Sequence, residues 1–117
     1  MKIAFDTMGT LQGKDSVKVV ALYKALRSRG HDMVVWSSEY ALARNINEKL
    51  NLHAEVMHKF DKFEAAEQSL ELMDICVDDD VSQTWLGAKY IVLVRDIPAD
   101  DIENFADKLI NIRSLAK

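Results

Sequence analysis

Short, continuous apolar runs separated by segments of helical spacing most strongly constrain the fold of this 117-residue chain. Four runs lie at residues 3–5, 33–36, 75–77 and 91–94, and a weaker fifth lies at 54–57. Strands that helices cover on both faces are continuously apolar, whereas strands with one face in water alternate. The runs therefore predict the buried strands of a parallel sheet.

Between these runs, apolar residues recur at the three- and four-residue spacing of amphipathic helices. The residues concerned are Val19, Leu22, Tyr23 and Leu26; Leu42, Ile46 and Leu50; Phe63, Ala66, Leu70 and Met73; and Ile102, Phe105, Leu109 and Ile112. A further short helix, N-capped by Asp80 or Ser82 and reaching Leu86, is predicted before the last strand. Strands and helices therefore alternate along the whole sequence.

This alternation predicts an α/β fold that forms a single domain over residues 1–117. The expected architecture is a three-layer α/β/α sandwich around a five-stranded parallel, Rossmann-like sheet with right-handed crossovers. Turn residues agree with this order. Gly30 ends the first helix, where a left-handed residue is needed, and Pro98 with Asp100 and Asp101 opens the last.

Composition narrows the expected partners and compartment. The net charge is −4 and the basic residues are not clustered, which argues against a broad nucleic-acid-binding surface. No apolar run approaches the ~20 residues of a membrane helix, and the first residues enter a strand without a leader, so we expect a cytoplasmic protein. The single cysteine, Cys76, lies in an apolar run and is expected to be a core residue.

Polar residues follow each predicted strand, at the edge where open parallel sheets bind their ligands. In chain order they are Asp6; Ser37 and Ser38; His58 and Lys59; Asp78, Asp79 and Asp80; and Arg95 and Asp96. Three successive acids repel one another unless a cation lies among them. The sequence therefore predicts a metal site at this edge of the sheet.

Three of these strand ends resemble, in order and position, motifs of the haloacid dehalogenase-like superfamily. Residues 6–11, Asp-Thr-Met-Gly-Thr-Leu, match the family's Asp-x-Asp-Gly-Thr loop except that Met8 replaces the second acid. Ser37 matches the Ser or Thr that ends the next strand, and the paired Asp78 and Asp79 match the final acidic motif. Three such patterns in the correct order are more specific than any one of them.

The family also has a lysine upstream of its acidic strand, and two lysines compete for that role. Lys62 lies 16 residues before Asp78, at the start of a predicted helix, and Lys59 lies 19 residues before it, near the end of the weak strand. We prefer Lys62 because connections in a compact core of this length are short.

The resemblance implies a phosphoryl-transfer site that holds Mg²⁺. Asp6 would be the nucleophile, and Mg²⁺ would be bound by Asp6, the backbone carbonyl of Met8 and Asp78, with Asp79 in support.

The resemblance also implies how the phosphoryl group would be held. Ser37 would donate a hydrogen bond to it, with Ser38 as a neighbouring hydroxyl, and the lysine would offset its negative charge. Gly9 would let the loop approach the phosphate, and Thr10 would stabilise the turn beside it.

Met8 takes the place of the residue that, in phosphatases of the family, protonates the leaving alcohol and activates water. Loss of positioned acid–base help typically costs ~10²–10⁴-fold in rate. The connections that follow Leu11 and Ser37 each hold one helix and one strand, which leaves no room for a cap domain. We therefore expect a capless, Mg²⁺-dependent hydrolase with weak or specialised phosphatase activity, for example on acyl phosphates.

The alternative is a non-catalytic module that binds a phosphorylated ligand or a protein partner. In both cases the ligand is a phosphorylated small molecule or macromolecule, and the oligomeric state is left open. A receiver domain is disfavoured, because that fold needs paired acids after its first strand and an aspartate after its third. This chain has Asp6 alone and then Met57 and His58 at those positions.

Overall fold

Strands and helices alternate in the computed structural model of the chain, which describes residues 1–59, 62–68, 73–79 and 88–115. The strands are β1 (Lys2–Asp6), β2 (Asp32–Ser37), β3 (Glu55–His58), β4 (Met73–Asp78) and β5 (Ala88–Leu93). The α-helices within the described residues are α1 (Ser16–Ser28), α2 (Tyr40–Lys49), α3 (Lys62–Glu67) and α4 (Ile102–Leu115). None of these helices has the length and apolarity needed to cross a bilayer.

All five strands are parallel and form one sheet in the order β3-β2-β1-β4-β5. The central strand is β1, in which Phe5 pairs with Val35 of β2 on one side and with Val77 of β4 on the other. The chain moves outwards from β1 to β3 and then returns to the opposite side of β1. This reversal opens a crevice at the carboxyl ends of β1 and β4. The predicted α/β class and five-stranded parallel, Rossmann-like sheet are confirmed.

The two faces of the sheet pack into different apolar clusters. One cluster joins alternate residues of the strands, such as Phe5 and Val35, to buried residues of α1, α2 and α4. The other cluster contains Ala4, Trp36 and Cys76. The crossover from β3 to β4 runs in the opposite direction to those before it, so the right-handed rule assigns α3 to this second face and completes three layers.

The predicted end of the first helix and the predicted start of the last helix are confirmed. Gly30 follows α1 with a φ of +84°, a conformation that glycine adopts without the strain of a side chain. The apolar stripe of α1 is buried as expected, including Leu22 and Leu26. The last helix begins at Ile102, directly after Asp101.

Met73 was expected in the third helix, and that prediction is wrong. It is the first residue of β4 and is buried, because it belongs to the apolar cluster on the second face of the sheet. Val94 likewise lies in a short 3-10 helix, Val94–Asp96, rather than in the last strand. Leu70 and the short helix predicted from Asp80 or Ser82 to Leu86 fall outside the described residues.

Cys76 is a fully buried residue of β4, as the sequence predicted. Burial raises the pKa of its thiol, and the nearby Asp78 carboxylate raises it further. The thiolate is the reactive form of cysteine, so this side chain is a packing residue rather than a nucleophile.

Candidate functional site

Two buried aspartates end the two strands that border the crevice. Asp6 is the last residue of β1 and Asp78 is the last residue of β4, with 7% and 1% of their surfaces exposed. Side chains two residues apart on a strand lie on the same face of the sheet. Asp6 therefore lies on the same face as Ala4, and Asp78 lies on the same face as Cys76. Carboxylates at this depth are costly unless a cation or hydrogen bonds compensate them.

Lys59 supplies that compensation. Its Nζ donates to Oδ1 of Asp6 at 3.1 Å and to Oδ2 of Asp78 at 2.7 Å. Burial by itself lowers the pKa of the Lys59 ammonium, but the hydrogen bond to Asp78 and the charges of both aspartates outweigh burial and raise it. The site therefore contains a permanent positive charge shared by two acids.

The position of Lys59 follows from the end of β3. This strand ends at His58, and the backbone N–H of Lys59 still donates to the carbonyl of Ser37 at 2.8 Å. Lys59 is thus held at the carboxyl edge of the sheet, beside β2. Lys62, which the sequence favoured, is the first residue of α3, and its side chain lies outside the described part of the structure. The geometry thus supports Lys59 as a lysine of the site, and the role of Lys62 stays a prediction.

Asp79 adds a third carboxylate to the cluster. One oxygen from each of Asp6, Asp78 and Asp79 lies within 4.8 Å of the others, and Asp79 is exposed to solvent. Gly9 makes room for this arrangement, because a Cβ at its position would collide with the Asp79 carboxylate. Its φ of +78° is a second reason for glycine there.

The loop after Asp6 closes on itself through backbone hydrogen bonds. The N–H of Gly9 donates to the carbonyl of Gln12 at 2.7 Å, and the N–H of Thr10 donates to the carbonyl of Thr7 at 3.1 Å. The Thr10 hydroxyl lies 3.4 Å from Oδ2 of Asp6. Gly9 and Thr10 therefore shape the loop and use their amides within it, and their contact with phosphate stays a prediction.

Ser37 ends β2 in a buried position at the same edge. Its hydroxyl oxygen accepts the backbone N–H of Glu39 at 3.1 Å, which orients the oxygen and leaves its own proton available to donate. Ser38, the next residue, is exposed, and no described contact brings it to the acids. Of the two predicted serines, only Ser37 is held in place.

Sequence reasoning did not single out Thr7 as a site residue. It follows Asp6, is fully buried, and its hydroxyl has no hydrogen-bond partner among the described residues. Its place directly after the proposed nucleophile was the only signal in the sequence. Met8, by contrast, is 67% exposed, so its side chain lies largely in solvent rather than in the protein interior.

The acidity of Asp6 is strongly altered by this environment. Burial raises the pKa of the Asp6 carboxyl, the Asp78 charge raises it further, and Lys59 offsets part of the effect, giving a pKa of about 6. Without a further cation, Asp6 therefore gains or loses its proton close to neutral pH.

The cluster has the donor chemistry of a site for a hard divalent cation. Among the described side chains, the three carboxylates lie close together, and the Lys59 ammonium is in contact with two of them. Mg²⁺ and Ca²⁺ take oxygen ligands from carboxylates, and all three acids offer them. Asp6, Asp78 and Asp79 can therefore bind a metal ion. The metal role of the Met8 carbonyl stays a prediction.

A cavity of about 320 Å³ opens directly beside the cluster. Its lining includes Gly9 and Asp79 from the site, together with Lys14, Asp15, Val94 and Arg95. The sequence had marked Arg95 as a strand-end residue. Lys14 was missed, since it lies in the loop between β1 and α1 and follows no strand directly.

A larger cavity, of about 430 Å³, lies at the opposite edge of the sheet. Lys2, Asp32 and Glu55, which begin three strands, contribute to its lining. Lys2 and Glu55 form an ion pair at 3.4 Å, and both side chains are partly exposed. The buried charges are concentrated at the carboxyl edge, so we assign the candidate site there despite its smaller cavity.

Comparisons with protein-family models, with curated proteins and with solved structures give no match.

Proposed function

We propose that the chain is a minimal Mg²⁺-dependent phosphohydrolase of the haloacid dehalogenase-like type, which acts through Asp6 as a nucleophile. The observation that carries this proposal is the meeting of Asp6, Lys59 and Asp78 in the crevice between β1 and β4. Asp79 completes a set of oxygen ligands around the same point. Ligands of open parallel sheets bind at such a reversal of strand order.

Each residue then has a defined task. Lys59 orients the Asp6 carboxylate through Oδ1 and offsets the negative charge that a phosphoryl group brings. Ser37 has a hydroxyl proton to donate to a phosphoryl oxygen. Mg²⁺ held by Asp6, Asp78 and Asp79 would neutralise charge on the transferring group, as is general in phosphoryl transfer.

Met8 limits the substrates that this site can process. A methionine side chain neither donates nor abstracts a proton, and this one is largely exposed. Leaving groups that depart readily as anions need no proton from the protein, and acyl phosphates belong to this class. The proposed activity is therefore weak on alkyl phosphates and better on activated phosphates.

The decisive experiment measures acetyl phosphate hydrolysis by the purified protein with Mg²⁺. We expect turnover in the wild type, and we expect Asp6→Asn to reduce it to background because the amide is not a nucleophile. Lys24→Gln, an exposed substitution on α1, is the control and should leave the rate unchanged. Equal rates in Asp6→Asn and the wild type would exclude Asp6 as the nucleophile.

The exposed Met8 also favours a second candidate, a non-catalytic module that binds phosphate and metal through the same residues. Calorimetric titration separates the two. Binding of Mg²⁺ and orthophosphate without turnover on acetyl phosphate or p-nitrophenyl phosphate would support the module, whereas turnover that depends on Asp6 would exclude it.

A further inference from the structure

The cavity beside the acidic cluster brings together charges from separate parts of the chain. Lys14 comes from the loop between β1 and α1, and Arg95 comes from the 3-10 helix after β5. Asp79 and Gly9, from the candidate metal site, form one side of the same cavity. A molecule that occupies this space therefore touches the metal site and both basic residues.

Lys14 and Arg95 are available to bind a ligand. Neither forms an ion pair or a side-chain hydrogen bond among the described residues, whereas Lys59 contacts two acids and Arg29 contacts Glu103 and Asp107. Both side chains are exposed at the cavity, so their attraction for an anion is moderate and depends on salt.

The amino end of α1 adds to this positive field. Asp15 is the N-cap of α1 and makes no side-chain hydrogen bond to the helix. The first N–H groups of a 13-residue helix favour an anion placed at its start. The Asp15 carboxylate opposes an anion in the same cavity, and its removal should therefore strengthen anion binding.

We propose that Lys14 and Arg95 form a second anion subsite, which binds the leaving group of a phosphoanhydride substrate. This inference rests on the proposed function of Asp6 and names the substrate class for that site. A phosphoanhydride carries a negative charge on each side of the bridging oxygen, and its leaving phosphate departs as an anion. Two cations at the leaving-group position stabilise that anion directly, so the proton that Met8 does not provide is not required.

The reaction balances with water as the only co-substrate. A carboxylate oxygen of Asp6 forms a bond to the terminal phosphorus of pyrophosphate, and the bond from that phosphorus to the bridging oxygen breaks. Orthophosphate leaves with the electron pair. Water then attacks the aspartyl phosphate, the bond between phosphorus and the Asp6 oxygen breaks, and the released proton goes to solvent. One pyrophosphate and one water give two orthophosphates.

The test compares two substrates that differ in the charge of the leaving group. The leaving phosphate of inorganic pyrophosphate is an anion before the bond breaks, whereas the acetyl group of acetyl phosphate is uncharged in the bound substrate and gains a single negative charge only as it leaves as acetate. We expect the double variant Lys14→Gln/Arg95→Gln to lower kcat/KM for pyrophosphate by roughly tenfold or more and to lower that for acetyl phosphate by a clearly smaller factor, because only pyrophosphate presents an anion to these residues before the bond breaks. Lys24→Gln, which removes an α1 lysine outside this cavity, should change neither.

A binding measurement tests the anion subsite without requiring turnover. In Asp6→Asn, with Mg²⁺ present, pyrophosphate should bind more tightly than orthophosphate, and the double variant should remove this difference. Asp15→Asn should increase it. Equal binding of the two anions, or a difference that persists in the double variant, would overturn the subsite whether or not the protein turns over substrate. Acetyl phosphate hydrolysis that survives Asp6→Asn would instead overturn the proposed function alone.

Discussion

At the scale of single residues, Lys59 determines the charge state of the site. It is the cation that the described structure places between Asp6 and Asp78, and it lowers the pKa that burial and mutual repulsion raise at Asp6. A buried ion pair that loses one partner leaves an uncompensated charge, which is strongly destabilising. Lys59 therefore affects both the acidity of the proposed nucleophile and the stability of the fold.

We predict that Lys59→Gln raises the pKa of Asp6 above its wild-type value of about 6. The same change should lower the free energy of unfolding at pH 7.5 by about 3 kcal/mol, because two buried carboxylates lose their cation. Carboxyl ¹³C NMR titration without metal measures the pKa, and urea unfolding measures stability. Lys24→Gln, at an exposed position of α1, is the control and should change neither. Similar shifts in both variants would contradict the assignment of Lys59.

Gly9 gives a second prediction at this scale, with Gly30 as a control of the same conformation. Both residues have positive φ, +78° and +84°, so alanine at either should cost about 1–2 kcal/mol of stability. Only at Gly9 would the new Cβ meet the Asp79 carboxylate, since nothing lies within 4 Å at Gly30. Calorimetry should therefore show weaker Mg²⁺ binding, by roughly tenfold, in Gly9→Ala alone. Equal Mg²⁺ affinity in the two variants would exclude this role of Gly9.

Strand-end acids could be predicted from the sequence, but their partners could not. Asp6 and Asp78 directly follow apolar runs, and the edge at which parallel strands end is fixed by the fold class. The choice between Lys59 and Lys62 depends on where β3 ends, and that strand is short and only partly apolar. Lys14 lies eight residues after Asp6, and only the closure of the loop brings it back to the site.

At the scale of elements, α1 supports the strand that carries Asp6. The fully buried ring of Tyr23 packs edge-on against Phe5 of β1, with ring centroids 5.3 Å apart. Its hydroxyl donates to the carbonyl of Leu52 at 2.7 Å, in the connection that leads to β3. The Tyr23 side chain thus joins α1 both to β1, the strand that ends at Asp6, and to the segment that leads through β3 to Lys59.

We predict that Tyr23→Phe and Tyr23→Ala separate these two contributions. Removal of the hydroxyl alone should cost only about 1 kcal/mol, because Arg27 also donates to the Leu52 carbonyl and keeps it satisfied. Loss of the ring should cost about 3–5 kcal/mol through the cavity it leaves against Phe5. Urea unfolding measures both values. Equal losses in the two variants would mean that the hydrogen bond, not the packing, joins α1 to the sheet.

The order of the strands and helices could be predicted from the sequence, but the boundary between the third helix and β4 could not. Met73 continues the three- and four-residue spacing of the helix before it, yet it begins β4. An apolar residue at the junction of a helix and a strand fits both patterns, and only its place in the sheet decides between them. Its pairing with Ala88 of β5 fixes Met73 in the sheet.

At the scale of the whole molecule, the charged form of Asp6 lowers the stability of the fold. A raised pKa means that the folded state binds the Asp6 proton more tightly than the unfolded chain does. Stability from that proton is therefore present at low pH and is lost as the pH rises through about 6. Sites that hold reactive charges commonly reduce stability in this way.

We predict that Asp6→Asn is more stable than the wild type at pH 7.5 without metal, by up to about 3 kcal/mol. The difference should shrink between pH 6 and pH 4 and vanish below the ordinary pKa of 3.8. Saturating Mg²⁺ at pH 7.5 should narrow it, because the metal stabilises the protein with all three carboxylates more than the variant that has lost one of them. Urea unfolding across this pH range measures the effect. A difference that does not vary with pH would show that Asp6 titrates normally in the folded protein.

The strand order has a consequence for how the protein forms during synthesis. A nascent chain that has left the ribosome only as far as Lys59, just after β3, already contains Asp6 and Lys59, but one side of β1 still lacks its neighbour. That neighbour is β4, whose Asp74 accepts the backbone N–H of Lys2 across 72 residues of sequence. The neighbours of β1 in the sheet are β2 and β4, and β4 is the later of the two in the chain. The acidic cluster therefore forms only after β4 has paired with β1. Metal binding to a growing chain would thus mark the moment at which the centre of the sheet is complete.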